Sequence, residues 1–264
     1  SEVMDQFYKN SLDPLIQVSR GSIFNATSIY RMGTGIVATE YVPIADVLAY
    51  RTPQVAGATA LRIKAGGNAA DTAAGAGARS VRLTGLSATG AVVSETLATA
   101  GASASAATTQ TFIRLFDAEV IDSGTYGTQS AGSHVGDIVI ENSAGGTDWA
   151  KIPINGFPTS RSSIGSYTVP DQHTAYVTDI QIQVEGTKTA DVLLLSRGGV
   201  LQATAPYRPI YRETEWIGVT EELHEHFNMP LRFEELTDIG LLGKVSNGTG
   251  TITTTIEILL LRNE

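Results

Sequence analysis

The residues with chemical potential fall in a few short stretches. GAGARS, Gly75 to Ser80, spaces two glycines as a phosphate-cradling loop would. A dinucleotide fingerprint needs an apolar strand before it, a helix after it and a third glycine. Here NAADTAAGAGA precedes, a strand pattern follows and Ser80 takes the third position. The stretch therefore reads as a turn, and no nucleotide or other cofactor is expected. HEH, His224 to His226, is the most metal-like feature, since both imidazoles would share one face of a strand near Glu221, Glu222 and Glu225. Zinc takes at least three protein ligands in a defined geometry, so a distant third ligand would be required. The HExxH spacing is absent, and His134 and His173 stand singly in turn-like settings. The favoured reading is a solvated acidic loop ahead of a strand, with no metal.

For nucleophilic catalysis no serine sits in a GxSxG elbow between a strand and a helix. The carboxylates Glu234 and Glu235, or Asp117 and Asp122, read as surface charges, and no catalytic residue is assigned. PYRPIYRETEW gathers Tyr207, Arg208, Tyr211 and Arg212 into an aromatic and basic patch. That patch is the candidate contact for a partner chain or a glycan. The plainer alternative is a loop whose aromatic rings pack on the domain.

The elements that must position these residues are strands. LRIK at 61–64, SVRLTGL, AVVSETL, TFIRLFDAEVI and DIVIEN carry period-2 alternation or short apolar runs. They are separated by SATG, TAGASAS, SGTYGTQSAGSH and SAGGTD, rich in turn formers. Val81 and Leu83 face one way, Arg82 and Thr84 the other. Farther on, Tyr176, Thr178, Ile180, Ile182 and Val184 alternate on one face. ADVLLLSR reads as a strand covered on both faces, and Ile252, Thr254, Ile256, Ile258 and Leu260 share one side of the last strand. No helices stand between strands to make parallel crossovers. The fold class is all-β: two β-sandwich, jelly-roll-like domains at 58–160 and 161–264, with 153–165 as linker. They follow an extended N-terminal arm at 1–57. Within the arm, Phe7, Leu12, Leu15, Ile16 and Val18 suggest a short helix interrupted by Pro14, and one or two strands follow. A second short helical piece is expected around 219–226.

Composition sets the outer limits. The 264 residues contain no cysteine, which excludes disulfides and thiolate metal sites. A net charge of -9 argues against a general nucleic-acid binder, whose affinity comes from Lys and Arg on phosphates. No apolar run of about 18 residues suggests a membrane span, and the first residues show no secretory pattern.

DTAAGAGARSVRLTGLSATGAVVSETL, TTQTFIRLFDAEVIDSG and VGDIVIENSAGG together resemble a β-domain of virion structural proteins of tailed bacteriophages. SYTVPDQHTAYVTDIQIQVEGTKTADVLLLSR and PLRFEELTDIGLLG resemble its companion sandwich. The resemblance spans residues 58–264 and rests on turn and strand patterns. It implies a non-enzymatic capsid decoration or cement protein located in the virion. Such a protein bridges the major capsid protein or other virion proteins as a homo-oligomer, a trimer by analogy. The alternative is a tail, neck or fibre component whose C-terminal sandwich binds a partner protein or host glycan. A sandwich-based carbohydrate-active enzyme is the third reading, and no acid–base pair in the sequence supports it.

Overall fold

The computed structural model describes residues 13–52, 57–125, 132–154 and 159–264. Phe7 and Leu12, expected in the first helix, lie outside them. Helix α1 (Pro14–Ser19) starts at Pro14 instead of being interrupted by it. At the first helical position the missing N–H of proline has no partner to lose, and Asp13 caps the turn through Leu15 N at 2.9 Å.

The remainder is β-structure. β1 (Ala26–Val37) and β2 (Val42–Pro43) come first. Six strands follow: β3 (Leu61–Ile63), β4 (Ala78–Leu86), β5 (Val92–Ala98), β6 (Arg114–Ser123), β7 (Ile138–Asn142) and β8 (Asp148–Ile152). Then come β9 (Ser166–Thr168), β10 (His173–Val184), β11 (Ala190–Arg197) and β12 (Tyr211–Val219). β13 (Glu222–Phe233), β14 (Asp238–Val245) and β15 (Gly250–Arg262) close the chain.

One sheet runs β1-β15-β10-β13, and its facing sheet runs β12-β11-β14 with both β2 and β9 on the far side of β14. Counting β2 and β9 as one strand gives the eight-stranded order 1-8-3-6 over 2-7-4-5, the double Greek key of a jelly roll. Ile180, Ile182, Ile252 and Ile256 from one sheet meet Val192, Leu194, Ile239 and Leu241 from the other in a single apolar core. The expected face of the last strand is buried throughout, from Ile252 to Leu260.

The count of eight is justified by the register. Gly243 and Leu242 of β14 face Val42 and Pro43, and Gly240 to Asp238 face Ser166 to Thr168. Between them, Leu241 accepts from Ile44 N at 3.0 Å and donates to Gly165 O at 3.3 Å. One rung of the ladder is thus shared by two residues 121 positions apart (165 minus 44). Everything between them is inserted into the strand, and the two crossing segments pair again at Ala45 and Ile164.

The segment 1–57 is therefore not a separate arm over its described length. β1 pairs with β15 across all twelve of its residues and is an edge strand of the jelly roll. Its sequence hides this because Gly33 and Gly35 replace the inward side chains that would mark alternation. Both are required by packing: a Cβ on Gly33 would lie 2.3 Å from Ile44 O, where the crossing segment runs against β1.

The inserted unit packs β3-β7-β8 against β5-β4-β6 around Leu61, Val81, Leu83, Phe112, Ile140 and Ile152. Val81 and Leu83 are buried and Arg82 is exposed, as the alternation predicts. GAGARS does cradle an anion, but that anion belongs to the chain. The buried Asp71 carboxylate accepts from Ala78 N at 2.8 Å, Val135 N at 3.0 Å and Gly136 N at 2.8 Å. A Cβ at Gly77 would sit 2.0 Å from Asp71 Oδ1, so the glycine serves close approach and not a positive φ.

Three further expectations change. The helical piece at 219–226 is instead the end of β12, a turn with Glu221 at φ 61°, and the start of β13. Val219 and Leu223 have helical spacing, but pairing with β10 decides the outcome. Tyr176 does not share a face with Ile180, because a bulge between Val177 and Asp179 shifts the phase. Val177 consequently points into the core and is fully buried. β8 and β12 are strands the sequence reading did not assign.

Candidate functional site

The four residues of the predicted patch are split between two places. Tyr207 is half-buried, donates to Ala203 O at 3.3 Å and lies under the Arg197 guanidinium, 5.8 Å from its ring centroid. The Arg208 stem lies along Gly198 and Gly199, where an added Cβ would come within 3.2 Å of it. Tyr211 opens β12 and is 59% exposed, and Arg212 pairs with Glu215. Consecutive residues of a strand point to opposite faces, so Tyr211 and Arg212 do not form one surface. Only Tyr211 presents a ring outward, beside Ser196, Leu231 and Arg232.

HEH lies within β13 and not in a loop. His224 and His226 share the outward face, opposite Gln181 and Asp179 of β10. Both rings reach Asp179 Oδ1, at 3.2 Å from His224 Nε2 and 2.8 Å from His226 Nδ1. Burial alone would raise the Asp179 carboxyl, but hydrogen bonds from His226, Thr178 and His224 outweigh it and hold the group below the usual range. Among the described residues no group of three or more His, Asp or Glu is arranged to hold a metal ion.

Where the inserted unit meets the jelly roll, the polar residues are dense and were missed in the sequence. Arg114 and Asp238 are fully buried and form a two-pronged pair, Nε to Oδ1 at 2.9 Å and Nη2 to Oδ2 at 2.8 Å. Thr168 donates to the same carboxylate at 2.6 Å, and Tyr50 meets Thr168 at 2.7 Å. Arg31 of β1 donates to Phe116 O at 3.2 Å and lies over the Phe116 and Tyr167 rings. Asp117 and Glu119, two apart on β6, share one face and both bind Arg161, at 3.3 Å and 2.7 Å. Burial raises the Asp117 carboxyl. The Glu119 carboxyl, which burial would also raise, is held low by Arg161 and Arg82. Opposed shifts in neighbouring carboxylates can serve acid–base chemistry, but here guanidinium partners occupy both. The network fastens the two units together.

The large exposed apolar residues of the jelly roll lie mainly at its two margins. On β1, Tyr30, Met32 and Ile36 face outward. At the opposite margin stand Ile210 and Tyr211, with Ile217 of β12 77% exposed and Met229 of β13 83% exposed. Met229 sits where residues 227–230 bulge opposite the single Thr178. That bulge, with Pro230 and its missing N–H, prevents plain edge-to-edge strand pairing. Contact there is side chain to side chain.

No protein-family model matches the chain, and no curated protein does. Among solved structures it is similar to one described as the structure of infectious bursal disease virus Gx strain, at 9% identity and a TM-score of 0.21. That match covers 90% of this chain and 76% of the other. A second, the Gt strain of the same virus, gives 6% identity and a TM-score of 0.11 over 90% and 80%. Likeness at this level transfers neither fold nor role.

Proposed function

We propose that the chain is a non-enzymatic structural component of a bacteriophage particle, serving on the head as a decoration or cement protein. The observation that carries the reading is the pair of apolar margins on β1 and on β12–β13. The sheet order puts β1 and β13 at opposite edges of one sheet, three strand spacings or about 14 Å apart. Contiguous exposed apolar surface on a soluble domain marks contact with other molecules. Two such surfaces on opposite sides let one chain hold two neighbours at once, which is what bridging a shell requires. The resemblance to tailed-phage virion proteins gives the setting, and a closed homo-oligomer follows if the two margins meet by rotation.

Quantitative mass spectrometry of purified particles tests the reading. Hundreds of copies per particle are expected, with labelling on the head. A dozen copies or fewer, with labelling on the tail, would instead favour the tail or neck role, in which exposed Tyr211 contacts a partner or glycan. Absence from purified particles would end both.

A further inference from the structure

A cavity of about 270 Å³ opens beside the Arg114–Asp238 pair, bounded by Tyr50, Arg51, Thr52, Leu115, Asp148 and Trp149. Its walls offer hydrogen-bond donors, while their carboxylate is already engaged: Lys64 holds Asp148 at 2.8 Å and 3.1 Å. Next to the cavity, Asp238 is saturated by Arg114 and Thr168. Trp149 is only 7% exposed, yet its indole N–H meets no acceptor, and neither does the buried hydroxyl of Thr52. Native interiors rarely leave a buried donor unmet. Arg51 lies across the Trp149 ring at 4.5 Å and adds positive charge. In a protein of net charge -9 this is a locally cationic pocket.

We propose that this cavity binds a small organic carboxylate, whose charge accepts from the Trp149 indole N–H and the Thr52 hydroxyl and whose apolar body lies against Leu115. Orphaned donors and neighbouring guanidinium groups select an anion. The apolar walls select one with a carbon body over an inorganic ion. The inference stands independently of any role in a particle.

The test is calorimetric titration of the full chain with benzoate, benzyl alcohol and inorganic phosphate in turn. Benzoate is expected to bind at least about tenfold more tightly than either comparison compound, the effect of one charge-assisted hydrogen bond. Trp149→Phe keeps the ring over Arg51 but removes the N–H, and should weaken benzoate roughly five- to tenfold while leaving benzyl alcohol unchanged. Thr52→Val should weaken benzoate by a smaller factor and serves if Trp149→Phe fails to fold, with near-ultraviolet circular dichroism reporting folding. Equal binding of benzoate and benzyl alcohol, or no benzoate binding, overturns the proposal. So does phosphate binding as tightly as benzoate, or benzoate affinity unchanged in both folded variants.

Discussion

The jelly roll and the inserted sandwich finish their sheets in opposite ways. In the insert, the outer side of β3 is closed by the chain itself. Thr108 Oγ1 and Ser105 Oγ accept from Leu61 N and Ile63 N, each at 2.9 Å, and the same two residues donate their N–H groups back to those strand carbonyls. Asp71 and Thr99 bind backbone groups of neighbouring loops in the same manner. The jelly roll has longer strands, twelve or thirteen residues in β1, β10, β13 and β15. It leaves its margins apolar and uncovered among the described residues. A small unit with short ladders gains order from side chains bonded to backbone. A large one with a deep core has stability enough to leave surfaces for partners. The contact function therefore belongs to the jelly roll, and the insert is a self-contained attachment to it.

The sharpest way to break this contrast is to remove residues 1–37. Losing β1 strips a twelve-residue ladder from β15 and exposes the core side of its neighbours. Hydrogen exchange is expected to show the jelly roll unprotected while β3 to β8 keep protection. A fully protected jelly roll would mean that β1 is dispensable. Next in size is Asp238→Ala, which leaves Arg114 buried and uncompensated at the junction. About 3–5 kcal/mol should be lost in denaturant unfolding, and the double change Arg114→Met with Asp238→Leu should restore much of it. Asp71→Ala orphans the N–H groups of Ala78, Val135 and Gly136. It should cost about 2–3 kcal/mol, and exchange protection should fall in the insert alone.

The smallest effect is a pH dependence at the crossing segments. Burial lifts the Asp46 carboxyl to about 6, even though Ser163 N donates to it at 2.6 Å. The folded state thus binds this proton more tightly than the unfolded chain, whose value is 3.8. Stability contributed by the protonated form is complete below about pH 4 and declines as pH rises through about 6. Asp46→Asn should flatten that slope, a change on the order of 1 kcal/mol after solvent screening, read from unfolding midpoints between pH 4 and 7.

How much of this was legible depended on whether a residue's partner lay nearby in sequence. Alternation in β15 and β4 is visible because each inward residue meets the core directly. β1 was hidden because Gly33 and Gly35 face a crossing backbone, so its period carries no side chains. The phase of β10 was misread because a bulge at Thr178 leaves no mark in composition. Arg114 and Asp238 are 124 residues apart, and neither is distinguishable by type from the surface charges around it. The patch at Tyr207 to Arg212 was visible as composition. What dispersed it was the start of β12 at Tyr211, which sends neighbouring side chains to opposite sides. HEH showed the same-face pairing correctly, but its partner Asp179 comes from another strand.

The rung that Ile44 and Gly165 share opposite Leu241 has a mechanical consequence. A domain hung from a loop swings on it, and the loop absorbs any force. Here the attachment is interior to a sheet, clamped by β14 on one side and by the glycines of β1 on the other. A push on the outer unit is delivered into the middle of the jelly roll's framework, so the two bodies tilt as one.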